Sequence, residues 1–117
     1  MRRATQICMV QLIVRLVAPE ARVQDLVHAL RAVMRGALQA RGCGFAEICL
    51  PTNDSRRVNY TEEWDDEAEL RAQFGSERFL RLLALIETTA EPPVVEFRTV
   101  SQRLGLEYIS AAAFVPS

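Results

Sequence analysis

Residues 7–18 restrict the fold of this chain more than any other segment, because they are apolar on both faces of a predicted strand. One face of the period-two pattern consists of Cys8, Val10, Leu12, Val14 and Leu16. The alternate positions are also apolar, apart from Gln11 and Arg15. The helices of one small domain cover only one side of an open antiparallel sheet. We therefore expect a second copy of the chain to cover the other side, which predicts a homodimer.

Helical and extended patterns then alternate along the chain. Apolar residues at three- and four-residue spacing predict a helix over residues 23–38, with Gly42 as its stop signal. Short strands are predicted at Phe45–Leu50 and Arg57–Trp64, joined by a turn rich in Asn, Asp and Ser. A final strand is predicted at Val94–Gln102.

The second helical region lies between the last two strands. Asp66, with Glu69 three residues later, resembles a capping box, and Gly75-Ser76 interrupts the helix that follows. The resulting order is the βαββαβ pattern of a ferredoxin-like α+β protomer. We expect a single domain over residues 1–117, with its core at about 7–103 and an apolar docking tail, 104–117, whose docking surface stays open.

Composition excludes several functional classes. The 14 basic residues are all Arg, contain no long run, and are balanced by 15 acidic ones, so nucleic acid is not an expected partner. The apolar stretches are shorter than the roughly 20 residues of a membrane span. The charged start of the chain is not followed by an uninterrupted apolar region, which argues against a secretory signal and predicts a cytoplasmic protein.

No metal or cofactor is predicted from the residue types present. His28 is the only histidine and lies on the polar side of the first helix, while the three cysteines lack paired spacing. No glycine-rich nucleotide or flavin motif occurs. Cys43 has no basic neighbour in sequence, and its role stays open. Any chemistry must therefore come from carboxylates, Arg, amides, aromatic side chains or the substrate itself.

The strand Arg57–Trp64 carries the candidate site. Alternation places Tyr60, Glu62 and Trp64 on one face, which should be the face toward the helices. A carboxylate between two aromatic rings could take a proton from a phenolic substrate. Two alternatives remain open: Glu62 could instead form a structural ion pair with Arg98 or Arg78, and Trp64 could be a core residue rather than a pocket wall.

The segments Tyr60–Leu70 and Ser76–Phe79 resemble the signature of the antibiotic biosynthesis monooxygenase superfamily, whose members are dimeric α/β barrels. The shared features are Glu-x-Trp at a strand end, an acidic helix start and Ser-x-x-Phe at the start of the next helix. The resemblance spans about residues 9–101. It implies a pocket between sheet and helices in each subunit, and in some members the oxidation of quinols or phenols by oxygen without metal or flavin.

Glu62 and Trp64 match the family pattern residue by residue, and Asn59 and Tyr60 are their neighbours. We expect Glu62 to be the catalytic base and the substrate-binding side chains to be Trp64, Tyr60, Asn59, Gln73 and Arg78. Gln73 and Arg78 occupy positions where many members have His, so catalysis by His is not expected. The haem-degrading branch is also disfavoured, because the first strand has no Asn and the second helical region no His or Trp. The sequence predicts a cofactor-independent monooxygenase of a small aromatic phenol or quinol, or alternatively a non-catalytic dimeric binding protein of the same fold.

Overall fold

The computed structural model describes residues 8–113, and the predicted order of elements is confirmed. The elements are β1 (Met9–Val17), α1 (Val23–Gln39), β2 (Cys43–Cys49), β3 (Arg57–Trp64), α2 (Glu67–Arg71), α3 (Glu77–Ile86), β4 (Val94–Val100) and α4 (Leu106–Ala113).

The four strands form one antiparallel sheet in the order β2-β3-β1-β4. The two central strands, β3 and β1, pair in a continuous register from Val10 opposite Trp64 to Val17 opposite Arg57. Because β1 also pairs with β4 along its other edge, its backbone is bonded on both sides. This is the α+β arrangement of a ferredoxin-like protomer, as predicted.

The second helical region is divided where the sequence predicts. The Asp66 side chain accepts a hydrogen bond from the backbone N–H of Glu69 at 2.9 Å, which caps α2. The Ser76 hydroxyl accepts one from the N–H of Phe79 at 3.2 Å, which caps α3. Two short helices in different directions therefore replace one straight helix over the sheet.

The sheet has one covered and one open face. On the covered face, Leu12, Val14, Val58 and Tyr60 are buried in the main core with the apolar residues of α1 and α3. The open face of β1 includes Ile13, which is 9% exposed and lies between Thr61 of β3 and Glu96 of β4. We call the sheet surface opposite the helices the open face from here on.

Some boundaries differ from the prediction. β2 starts at Cys43, two residues early, because its pairing with β3 continues past a register shift to Trp64. α1 ends at Gln39, and Gly42 lies in the following turn at φ +91°, where its carbonyl accepts a hydrogen bond from Asp65. β4 ends at Val100 rather than at Gln102. Ile7, predicted to begin β1, lies outside the described residues.

The apolar tail is described in part. Within residues 8–113 it forms α4, whose Leu106, Tyr108 and Ile109 are largely exposed on their own subunit, and its docking stays a prediction. The remaining tail positions lie outside the described residues. No helix in the described part of the chain is long and apolar enough to cross a membrane.

Candidate functional site

Glu62 is the one charged residue that the described structure buries completely. Its carboxylate accepts hydrogen bonds from the Tyr60 hydroxyl at 2.5 Å and from the Trp64 indole N–H at 2.9 Å. It also receives the Arg78 guanidinium at 2.6 Å. Alternation along β3 places these aromatic side chains on either side of the carboxylate, as the sequence predicts. Three donors replace the water that a carboxylate loses on burial.

Arg78 reaches this carboxylate from α3 by passing over α1. Its guanidinium also donates to the Gln73 side-chain oxygen at 3.2 Å and approaches the Val33 carbonyl at 3.4 Å. The path depends on Gly36, because a Cβ at that position would lie 2.6 Å from the Arg78 Cδ. The guanidinium carbon is 5.8 Å from the centroid of the Trp64 ring, within the range of a cation–π contact. We call Tyr60, Glu62, Trp64, Gln73 and Arg78 the carboxylate cluster.

The Tyr60 hydroxyl is a lasting donor within the carboxylate cluster. Burial, followed by the negative charge of Glu62, raises the pKa of Tyr60 far above its ordinary value, so its hydroxyl stays protonated as a donor. Arg78 is nearly buried as well. A carboxylate held by three donors is well placed to join elements, and because Glu62 is fully buried its remaining lone pair does not face solvent.

Five of the six site residues predicted from sequence come together in this cluster. Asn59 does not, because it lies on the open face of the sheet next to Arg15 in the register. Its Oδ1 is buried and has no hydrogen-bond partner among the described residues. The two ion-pair alternatives for Glu62 are also resolved: Arg78 is the partner, whereas Arg98 lies on the open face and bonds to Glu96 at 2.8 Å.

Two other residues considered in the sequence lie apart from the carboxylate cluster. His28 is exposed on α1. Burial is the main cause that raises the pKa of the Cys43 thiol, which lowers the population of the reactive thiolate. In the part of the chain that the structure describes, no three His, Cys, Asp or Glu side chains converge as a metal site would require.

A cavity of about 310 Å³ opens on the helix side of the sheet, between α2 and the paired strands β1 and β4. Its floor is apolar, and its lining residues are Val10, Glu67, Leu70, Arg71, Phe74, Phe97 and Thr99. The Phe74 and Phe97 rings meet edge to face with centroids 6.2 Å apart. We call this space the α2 cavity.

The α2 cavity has a polar rim on one side. Glu67 and Arg71 occur one helical turn apart on α2 and form an ion pair at 3.0 Å, with both side chains about two-thirds exposed. They are the charged residues among those that line the cavity. Both are therefore free to reorient toward a bound molecule.

Sequence reasoning missed the α2 cavity residues. The acidic start of α2 has a sufficient explanation in capping and the helix dipole, which hides any second role of Glu67. A signal was present in the spacing, since Glu67 and Arg71, like Leu70 and Phe74, are four residues apart and share a helix face. The contribution of β4 depends on strand pairing and could not be found from local pattern.

The carboxylate cluster and the α2 cavity are neighbours but separate. Val10, Leu70 and Trp64 pack together in a second apolar cluster with Ala37. Val10 and Leu70 also line the cavity, so they stand between its interior and the indole ring. None of the five residues of the carboxylate cluster lines the cavity. The two features therefore require separate functional interpretations.

The sequence profile of antibiotic biosynthesis monooxygenases matches residues 9–85, which includes β1 through most of α3. The chain belongs to the antibiotic biosynthesis monooxygenase family. The match contains the carboxylate cluster and the α2 side of the cavity, whereas β4 and α4 lie beyond it. No match was found among curated proteins.

Solved structures share the fold of this family member. A candidate antibiotic biosynthesis monooxygenase from Nitrosomonas europaea superposes with a TM-score of 0.74 at 16% identity, covering 88% of this chain and 100% of that one. Rv0793 from Mycobacterium tuberculosis superposes with a TM-score of 0.73 at 16% identity, covering 83% of this chain and 99% of that one. PA3566 from Pseudomonas aeruginosa superposes with a TM-score of 0.69 at 22% identity, covering 86% of this chain and 100% of that one. At these identities the likeness is one of fold.

Proposed function

We propose that this family member is a homodimeric, cofactor-independent monooxygenase that binds a small phenol or quinol in the α2 cavity. The observation that carries the proposal is a half-open apolar cavity between sheet and helices, with two aromatic rings and one ion pair on its wall. Its volume of about 310 Å³ is at the lower end of the about 300–1,000 Å³ of small-molecule pockets, which suits a ligand of one or two rings.

The residues of the α2 cavity suggest a division of roles. Glu67 accepts the phenolic proton, and the Arg71 guanidinium holds the phenolate oxygen that results. Phe74 and Phe97 pack against the ring. The electron-rich anion then gives electrons to molecular oxygen, a carbon–oxygen bond forms, and loss of one water from the hydroperoxide leaves a quinone. One phenol and one O₂ thus yield one quinone and one water.

Glu62 is the second candidate for the base. It is the carboxylate singled out by the family resemblance, but its oxygens are held by Tyr60, Trp64 and Arg78, and it is fully buried. To take a substrate proton it would have to exchange at least one of these donors for the substrate. The geometry therefore favours Glu67 as the base and Glu62 as the group that fixes α3 on the sheet.

Oxygen uptake on a quinol tests these assignments. We expect the protein to accelerate oxygen consumption by 1,4-dihydroxynaphthalene above its rate of autoxidation, and E67Q to lower kcat/KM by about 100-fold or more. The matched control is E77Q, since Glu77 is an exposed carboxylate at the start of α3 and outside the cavity. Loss of turnover in E62Q with a fold as stable as the parent, together with full turnover in E67Q, would instead make Glu62 the base.

A non-catalytic binding protein is the alternative, and the absence of His at Gln73 and Arg78 favours it. In that case the same naphthol-type probe would bind, and titration would show saturation, but the protein would leave oxygen consumption at the autoxidation rate. Replacing Phe97 by Ala should then weaken binding of the probe, because the ring supplies one wall of the α2 cavity.

A further inference from the structure

α4 is an apolar helix whose large side chains are mostly exposed on their own subunit. Leu106 is 76% exposed, and Tyr108 and Ile109 are exposed to a similar degree. The helix has only eight residues. Isolated helices shorter than about 12–15 residues are marginal in water, so α4 needs a surface to pack against. An exposed apolar helix of this kind marks an interaction site.

The connection before α4 shows which side of the sheet the chain takes. The Arg103 guanidinium forms an ion pair with Glu63 at 2.7 Å and approaches the Met9 sulfur at 3.1 Å. Glu63 also accepts a hydrogen bond from Gln11 at 2.7 Å. Gln11 and Glu63 face each other across β1 and β3 on the open face. After β4, the chain therefore turns toward the open face and away from its own α2 cavity.

The helix side of β4 lacks the cover that the rest of the sheet has. Val95 and Phe97 alternate onto this side opposite Val14 and Leu12 of β1, yet they are 42% and 53% exposed. Phe74, in the turn between α2 and α3, is partly exposed beside Phe97. These three residues, which we call the β4 patch, continue the apolar lining of the α2 cavity to its mouth.

We propose that, in the homodimer, α4 of each subunit crosses the edge of its partner's sheet and packs on the partner's β4 patch, thereby closing the partner's α2 cavity. The inference rests on the dimer of the proposed function. Each cavity would then be complete only in the presence of a second copy.

The balance of charge on the open face permits contact with a second copy of the chain. A two-fold interface brings a surface against itself, so a surface of one sign would repel. The open face carries both signs in nearly equal number, with Arg15, Arg57, Arg98 and Arg103 against Glu47, Glu63 and Glu96.

The chain is also long enough for the exchange. Packed sheets are about 10 Å apart, and each extended residue spans up to about 3.3–3.6 Å. The residues between Val100 and Leu106 can therefore bridge from one sheet to the edge of the other.

Inter-subunit contacts in the full-length protein test the proposal. In a dimer mixed from isotope-labelled and unlabelled chains, we expect isotope-filtered nuclear Overhauser effects between the methyl groups of Leu106 or Ile109 and the ring of the partner's Phe97. In sedimentation equilibrium, L106S/I109S should raise the dimer dissociation constant at least 10-fold. The control L80S removes an apolar side chain of α3 that is 55% exposed, and it should leave the dissociation constant unchanged.

The outcomes separate this inference from the proposed function. A stable dimer whose α4 contacts are all within one subunit would overturn the exchange and leave the oxygenase proposal intact. A dimer that L106S/I109S does not weaken would also overturn it. A monomer at micromolar concentration would overturn both the dimer and the exchange, whereas loss of quinol turnover with inter-subunit contacts present would count against the oxygenase alone.

Discussion

The guanidinium of Arg78 lies 2.6 Å from the carboxylate of Glu62, and the two side chains are 12% and 0% exposed. The pair connects α3 to the middle of β3. Tyr60 and Trp64 also donate to the carboxylate, so that the buried negative charge has three donors. Because a buried charge that loses its partner is strongly destabilising, the stability of this fold should depend on the pair.

Replacing Glu62 by Gln should lower the free energy of unfolding by about 2–4 kcal/mol. The amide keeps most of the shape but leaves Arg78 without its counter-ion and presents an N–H group to one of the former donors. Chemical denaturation of E62Q and of E77Q, the same change at an exposed carboxylate of α3, measures the difference. Equal stability of the two variants would contradict the structural role.

Gly36→Ala tests the path that Arg78 takes. Alanine favours a helix over glycine by about 1 kcal/mol, but here its Cβ would meet the Arg78 Cδ at 2.6 Å and displace the guanidinium from Glu62. We expect a net loss of about 1–3 kcal/mol in unfolding free energy. Gly75→Ala is the control, because a Cβ at Gly75 meets no atom within 4 Å. A stabilised G36A would show that Arg78 can leave its position at little cost.

The raised pKa of Tyr60 predicts a loss of stability at alkaline pH. The unfolded tyrosine ionises near its ordinary pKa of about 10, whereas the folded one stays protonated well above it. The contribution of Tyr60 to the free energy of folding is therefore complete below about pH 10 and declines as the pH rises further. Thermal unfolding of the parent and of Y60F between pH 8 and 11 should show a smaller alkaline decline in Y60F. Parallel curves would contradict the prediction.

Ile13→Glu should dissociate the predicted homodimer. Ile13 lies at the centre of the open face among Arg15, Glu96 and Thr61, so a two-fold interface would bring two new carboxylates close together. We expect the dimer dissociation constant to rise at least 100-fold, which corresponds to about 2.7 kcal/mol. Sedimentation equilibrium measures it, with Gln24→Glu on the exposed side of α1 as the control. An unchanged dissociation constant would place the interface elsewhere.

The local features of this chain could be predicted from its sequence. Alternation along β3 correctly placed Tyr60, Glu62 and Trp64 on one face, because side chains of a strand alternate whatever surrounds it. The caps at Asp66 and Ser76 were found for a similar reason, since a capping side chain bonds to a backbone N–H only three residues away. These interactions act over a few residues, and the order of elements that they define was enough to give the fold class.

Tertiary structure alone decided which partner each of these residues has. In the sequence, Arg78 and Arg98 were both candidates for the ion pair with Glu62. In the structure, α3 packs so that Arg78 passes over Gly36 and reaches Glu62. Strand pairing places Arg98 on the open face instead. The same packing sealed Glu62 and left the cavity beside Phe97, a residue far from α2 in the chain. Ion pairs and cavities depend on distances between elements. Those distances are determined by how the side chains of the helices pack against the sheet, and local sequence patterns do not specify this packing.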